Sequence, residues 1–193
     1  ITGENKNLLR IVQRSVNRML RLVNQMLDFN KLENDTLKLK VRPTEIVVLL
    51  KELTDIFRVN AESKSITMIT NGLEGSFIAW IDEDKIDKIF TNLMANALKY
   101  TPNGGKVEIK AEKSGEMLKV SVSDNGYGIS DTQMKRLFQP FSRGQKRIGN
   151  EASSGLGLWI CKLLVEMQHG TISCKSIEGG GSTFYVSLPV NER

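Results

Sequence analysis

The chain has 193 residues, 40% hydrophobic and 25% charged, which excludes an intrinsically disordered chain and allows one large domain or an ordinary domain with an appended element. Its net charge of +5 raises nucleic acid as a partner, yet its 27 basic residues are spread among 22 acidic ones, and no Lys/Arg cluster interleaves with aromatics, so no nucleic acid is expected. The two cysteines, Cys161 and Cys174, are too few and too scattered for a disulfide framework or a zinc site, and no apolar run approaches the roughly 18 residues that cross a bilayer.

The chain opens on ITGENKNLL without an initiator methionine, so it is expected to be a segment of something longer, not itself embedded in a membrane and cytoplasmic by its cysteine usage. Within the first segment Leu9, Val12, Val16, Met19, Val23 and Met26 recur at alternating steps of three and four, flanked by Leu20 and Leu27. That is the heptad spacing of a helix that packs on other helices, from a second copy or from upstream sequence. Arg10, Arg14, Arg18 and Arg21 line the opposite side, as a solvated face or as a dock for an acidic partner protein. The polar break ENDTLKLKVRP closes this part at residue 42, and Pro43 with Thr44 reads as the start of a helix that runs to about Ser63.

Residues 43–193 then mix their elements. Strands are expected near Ile66 to Ile69 and Ser76 to Ile81, and Asp82 caps a helix reaching about Tyr100. Strands follow at Lys106 to Glu112 and Met117 to Ser123, helices near Asp131 to Phe138 and Gly155 to Gln168, and strands at Thr171 to Ser176 and Ser182 to Leu188. Without strict βαβ alternation, the α/β class takes the form of a two-layer sandwich, a mixed sheet covered on one face by helices. Ser142 to Gly155 is polar and glycine-spotted, long enough for a lid.

Three stretches carry chemistry. In DKIFTNLMANALKYT the apolar residues Ile86, Ile89, Phe90, Leu93 and Ala97 share one side, and Asn92, Asn96 and Lys99 gather on an adjoining strip. Asparagine is a mediocre helix former, so two of them one turn apart suggest work as ligands, although a plain polar face has the same pattern. A hard cation such as Mg²⁺ takes oxygen ligands and keeps waters, so one asparagine carbonyl beside phosphate oxygens suffices. In VSDNGYGIS, Asp124 ends an alternating strand, where a carboxylate can accept from the exocyclic amine of adenine; Gly126 and Gly128 let the backbone turn and approach a base. The same residues also serve ordinary tight turns. In SSGLGLWICKLLVEM two glycines open a helix whose amides and dipole favour phosphate, or Ser153 or Ser154 simply caps it.

In the order NLMANALKY, DNGYGI, FQPF, SGLGL and GGGSTFYVSLP, these stretches resemble the ATP-binding catalytic domain of sensor histidine kinases, within the superfamily that includes DNA gyrase and Hsp90. The likeness runs from Pro43 to Pro189, and RMLRLVNQMLDFNKLE resembles the second helix of the family's dimerisation and phosphotransfer hairpin. The resemblance implies a Bergerat-type ATP-binding fold after a long N-terminal helix, with ATP and Mg²⁺ as cofactors. It implies Asn96 as the Mg²⁺ ligand, Asn92 and Lys99 at the phosphates and Tyr100 beside the nucleotide. Asp124 would hold adenine, with Gly126 and Gly128 shaping that end and Thr183 helping through water. Ser154, Gly155, Leu156 and Gly157 would cradle phosphate, and Arg143, Lys146 or Arg147 in the lid would reach the γ-phosphate. Ala152 and Ser153 depart from the family, standing where it often has glycines, which bears on how the lid closes. The implied partners are a second copy, through the N-terminal helix, and a response-regulator receiver domain; the implied full-length protein is anchored in the cell membrane.

Water-splitting relatives carry a carboxylate one turn before the metal-binding asparagine as general base, and here that position is Asn92. The family's phosphoacceptor is a histidine followed by an acidic residue, and no such sequence occurs. The single histidine, His169 in EMQHGTI, precedes Gly170, which reads as the stop of a helix, and is expected to be structural. The acceptor histidine is therefore expected upstream of Ile1.

Overall fold

The structure, a computed structural model, describes residues 3–33, 37–142 and 154–190. It divides into two units, Ile1–Lys38 and Leu39–Arg193. The first is one helix, α1 (Gly3–Glu33), on which Leu9, Val12, Val16, Met19, Leu20, Val23, Met26 and Leu27 are all largely exposed. The heptad stripe thus exists as a stripe, with its apolar surface open within this unit. The side chains of Arg10, Arg14, Arg18 and Arg21 lie outside the described ones.

The second unit runs β1 (Arg42–Glu45), α2 (Ile46–Glu62), β2 (Thr67–Asn71), β3 (Ile78–Ile81), α3 (Glu83–Tyr100), β4 (Lys106–Ser114), β5 (Met117–Asp124), α4 (Asp131–Met134), α5 (Gly157–Met167), β6 (Thr171–Ile177) and β7 (Gly181–Pro189). A five-stranded sheet has the order β2-β4-β5-β7-β6, with β2 parallel to β4 and every other pair antiparallel. Alternation sets its faces. Val107, Ile109, Ala111, Leu118, Val120, Val122, Phe184, Val186 and Leu188 are buried under the helices, and Lys106, Lys110, Lys119 and Tyr185 between them are exposed. Against that face α3 packs with α2, α5 and β5, burying Ile86, Ile89, Phe90, Leu93 and Met94. The mixed, one-face-covered α/β sandwich expected from the element order is the architecture observed.

Two expectations need correction. The helix expected from Thr44 starts at Ile46, because Arg42–Glu45 forms β1, antiparallel to β3 with Pro43 opposite Trp80. Glu45 makes the switch: its carboxylate accepts from Val47 N at 3.2 Å, capping α2, and from Phe77 N at 2.6 Å, holding the chain leading into β3 alongside. Proline's fixed φ suits a first helical turn and an extended edge alike, so Pro43 alone does not decide. The helix expected to reach Phe138 ends at Met134 and continues as turns, in which Leu137 N donates to Met134 O and Gln139 N to Arg136 O. Pro140 bars the helical region only to Gln139, the residue before it, so it limits how far these turns run and does not set the end at Met134.

Candidate functional site

The site grows from one edge of α3. Asp82, 1% exposed, caps that helix by accepting from Lys85 N at 3.3 Å, and it also takes Lys40 N at 2.7 Å. With the apolar side fixed in the core, Asn92, Asn96, Lys99 and Tyr100 fall along one half-buried edge. Asn92 Nδ2 donates to Lys88 O at 2.9 Å, which commits the amide nitrogen to the helix and leaves Oδ1 as the outward atom. Lys99 Nζ lies 5.4 Å from the Tyr100 ring centroid. At the helix end, Lys64 Nζ donates to Leu98 O at 2.7 Å.

One end of that edge meets the turn after β5. Asp124 Oδ1 accepts from Gly126 N at 2.9 Å, and Tyr127 N donates to Tyr100 O at 3.2 Å. Burial pushes the Asp124 carboxyl above its ordinary range, and hydrogen bonds from the backbone N–H groups of Gly126 and Ser182 pull part of the way back. The structure gives the glycines a reason of its own. A Cβ on Gly126 would overlap Tyr100 O, one on Gly128 (φ +65°) would overlap Ile177 O, and one on Gly181 (φ +93°) would overlap Asp124 O. Each absent side chain lets another segment's backbone in, so α3, the β5 turn and the β6–β7 turn converge around Asp124.

The other end meets the start of α5. A Cβ on Gly157 would lie 3.0 Å from Asn92 Oδ1, so this glycine brings the first turn of α5 up to the asparagine. No side chain caps α5 at Leu156, and the Ser154 hydroxyl instead accepts from Leu156 N at 3.2 Å, one residue before the helix. The expected serine cap is therefore displaced: Ser154 shapes the turn into the helix, and the helix N-terminus faces the α3 edge through Gly157. Gly155 (φ +75°) would bring a Cβ to 2.7 Å from Phe141 C and from Ser142 O, so the two described ends of the expected lid abut. Arg143, Lys146, Arg147, Ala152 and Ser153 lie outside the described residues.

Among the described residues, Thr183 is an expected site residue that the structure turns away from Asp124. It pairs with Ser123, and the two hydroxyls are 2.8 Å apart on the sheet face away from the helices. Ser182, 6% exposed, is the residue opposite Asp124 and donates its backbone N–H to that carboxylate. The signal was present in the sequence. Ser182 has the same parity as Phe184, Val186 and Leu188, so a period-two reading places it inward and Thr183 outward.

The remaining reactive groups are accounted for by structure. His169 is exposed and has φ +56°, with its N–H donating to Glu166 O at 2.9 Å, so the histidine itself takes the left-handed position that ends α5. Gly170, expected in that role, serves close packing instead, since a Cβ there would lie 2.5 Å from Ser187 O. Burial pushes the thiols of Cys161 and Cys174 up to about 12, with Asp124 adding to the effect at Cys174, so neither is a thiolate nucleophile near neutral pH.

Residues 81–192 match the family model described as histidine kinase-, DNA gyrase B-, and HSP90-like ATPase. The autoinducer 2 sensor kinase/phosphatase LuxQ of Vibrio parahaemolyticus is 33% identical over 98% of this chain and 23% of its own length. Among solved structures, full-length ShkA in complex with AMPPNP superposes with a TM-score of 0.85 at 25% identity, covering 100% of this chain and 40% of that one. Histidine kinase ThkA in complex with the response regulator protein TrrA shares the fold at a TM-score of 0.75 and 21% identity, over 99% of this chain and 53% of that one. The chain thus spans only a minor part of LuxQ and ShkA.

Proposed function

Since the chain belongs to the histidine kinase-, DNA gyrase B-, and HSP90-like ATPase family, we propose that it is the ATP-binding catalytic segment of a sensor histidine kinase, passing the ATP γ-phosphoryl to a histidine on another part of the protein. The observation that carries this reading is the α3 edge that reaches both the Asp124 turn, through Tyr100, and the start of α5, through Asn92 and Gly157. One strip of helix thereby spans the distance between a base-reading carboxylate and a phosphate-favouring helix N-terminus.

In this reading Asp124 accepts from the adenine amine, with Ser182 beside it in place of Thr183, and Gly126 and Gly128 hold that end in shape. Tyr100 lies beside the nucleotide. Ser154, Gly155, Leu156 and Gly157 bring backbone N–H groups to the phosphates, helped by Lys99 and by one of Arg143, Lys146 and Arg147. Asn92 and Asn96 offer amide oxygens, the ligand type a hard divalent cation takes, and Asn96 is assigned to Mg²⁺. Bound there, Mg²⁺ would neutralise phosphate charge. Asn92, unlike a carboxylate, cannot take a proton from water, so the site positions ATP without activating water against it. The phosphoryl group then awaits a nucleophile supplied from outside, and His169, which terminates α5, is not that nucleophile.

The α1 stripe supports a homodimer formed by helix packing, since its exposed leucines, valines and methionines require a partner surface. A receiver domain of a response regulator is the expected second partner, supported by the complex in which ThkA was solved. Among the described residues no helix is long and apolar enough to cross a membrane. We place this segment on the cytoplasmic side of a membrane-anchored protein.

Titration of ATP·Mg²⁺ into the chain, the Asp124→Ala variant and the Asn96→Ala variant tests the reading. Binding is expected in the parent and should weaken in both variants. Equal binding in all three removes the proposal. A hairpin carrying a histidine followed by an acidic residue, added in trans with labelled ATP, should acquire acid-labile phosphate.

A further inference from the structure

This inference rests on the ATP-binding reading and deepens it: it concerns how the site tells adenine from guanine. Ser176 of β6 lies on the sheet face that carries Ser182 and Asp124, paired directly with Ser182. Its hydroxyl has one proton and two lone pairs. Ile129 N donates to Ser176 Oγ at 2.8 Å, Ser176 Oγ donates to Gly181 O at 2.7 Å, and Ser182 Oγ stands 3.0 Å away. A carbonyl oxygen only accepts, so the single Ser176 proton is committed to Gly181. The bond between the two hydroxyls must then take its proton from Ser182.

Ser182 is left with lone pairs alone for any other neighbour, and ionised Asp124 beside it likewise only accepts. We infer that Ser176 is a specificity-positioning residue, turning the Ser182 proton away from the base so that Ser182 and Asp124 together present it with acceptors and no side-chain donor. Adenine carries an amine donor at the position where guanine carries a carbonyl acceptor. At that position an acceptor pairs with the amine and sets lone pair against lone pair with the carbonyl, an unpaired burial that discriminates strongly. The same Ser176 oxygen joins Ile129, in the turn after β5, to Gly181 at the start of β7, so the loops that hold Asp124 and Ser182 share one anchor.

The test compares dissociation constants for ATP·Mg²⁺ and GTP·Mg²⁺ across the parent chain, Ser176→Ala, Ser176→Thr, Ser182→Ala and the Ser176→Ala/Ser182→Ala double variant. Ser176→Ala frees the Ser182 hydroxyl to donate, so the ATP-over-GTP preference should fall about tenfold. Ser176→Thr, which keeps the hydroxyl, should restore it. Because Ser176 acts through Ser182, its removal should cost no further preference once Ser182 is alanine. A preference unchanged in Ser176→Ala, or losses that simply add in the double variant, overturns the inference and leaves ATP binding standing. Should Ser176→Ala not fold, the remaining pair decides: Ser182→Ala must lower the preference and Ser176→Thr must keep it, and the reverse overturns it. A parent chain that binds neither nucleotide, or both alike, sinks the ATP-binding reading together with this one.

Discussion

At the end of the site proposed to take the base, the Asp124 turn is closed in by other segments' backbone: Tyr100 O against Gly126, Ile177 O against Gly128, and Gly181 against the carbonyl of Asp124 itself. At the phosphate end, Asn92 and Gly157 meet through a side-chain tip, and α5 begins without a side-chain cap. The first region is wired by its own main chain before any ligand arrives. The second offers amides and amide oxygens that a ligand would complete. The difference teaches that folding and recognition are the same interactions at one end and separable at the other, which makes the two ends distinguishable by substitution.

The sharpest way to break the comparison is at Gly128. Its positive φ and the overlap of any Cβ with Ile177 O leave alanine no comfortable place, so Gly128→Ala should destabilise the fold by about 3 kcal/mol. Denaturant unfolding of the nucleotide-free chain measures this. A loss below about 0.5 kcal/mol, the scale of an ordinary surface change, would show the base end to be looser than the main-chain wiring implies.

Next in size is Asp124→Asn, which should lower ATP affinity about 10- to 100-fold by removing a charged acceptor. Its effect on folding should have the opposite sign. The folded carboxyl has a raised pKa, so the folded chain holds that proton more tightly than the unfolded one. The contribution is full below the unfolded-state pKa and is lost as pH rises through the folded-state value. The amide of the variant does not titrate, so its melting temperature should gain on that of the parent as pH rises through that window. A parallel shift at all pH values would mean that burial is not what holds the carboxyl up.

Asn96→Ala probes the phosphate end with a smaller expected loss. ATP affinity should fall about tenfold in the presence of Mg²⁺, the scale of one polar contact, and should be unchanged with the metal chelated. Equal loss in both conditions would assign Asn96 to the nucleotide instead of the cation.

Legibility in the sequence follows the same division. The α3 helix, its Asp82 cap and its polar edge were readable because a period of 3.6 residues and a capping aspartate are local signals. The alternating strands were readable for a similar reason, and their order in the sheet was not, since pairing joins residues far apart. The purpose of the glycines was hidden for that reason: Gly126 answers to Tyr100 and Gly128 to Ile177, partners that only the folded chain supplies. Ser182 is the opposite case, available from parity with Phe184 and obscured by the adjacent hydroxyl of Thr183. Pro43 shows a local signal overruled, because Glu45 gains both a helix cap and a bond to Phe77 by starting the helix two residues later than Thr44.

The finest test of the comparison is Gly157→Ala. This glycine has no positive φ, and the atom a Cβ would meet at 3.0 Å is the end of the Asn92 side chain, which can move. Alanine also favours a helix by up to about 1 kcal/mol over glycine, so the unliganded chain should change by no more than about 0.5 kcal/mol as the two effects offset. Binding should respond even so, because Asn92 would have to shift away from the first turn of α5. ATP·Mg²⁺ affinity should weaken severalfold while adenosine, which has no phosphates, should bind as tightly as to the parent chain. A loss of adenosine binding equal to that of ATP would mean that the start of α5 reaches the base end after all, and that the two regions form one rigid site.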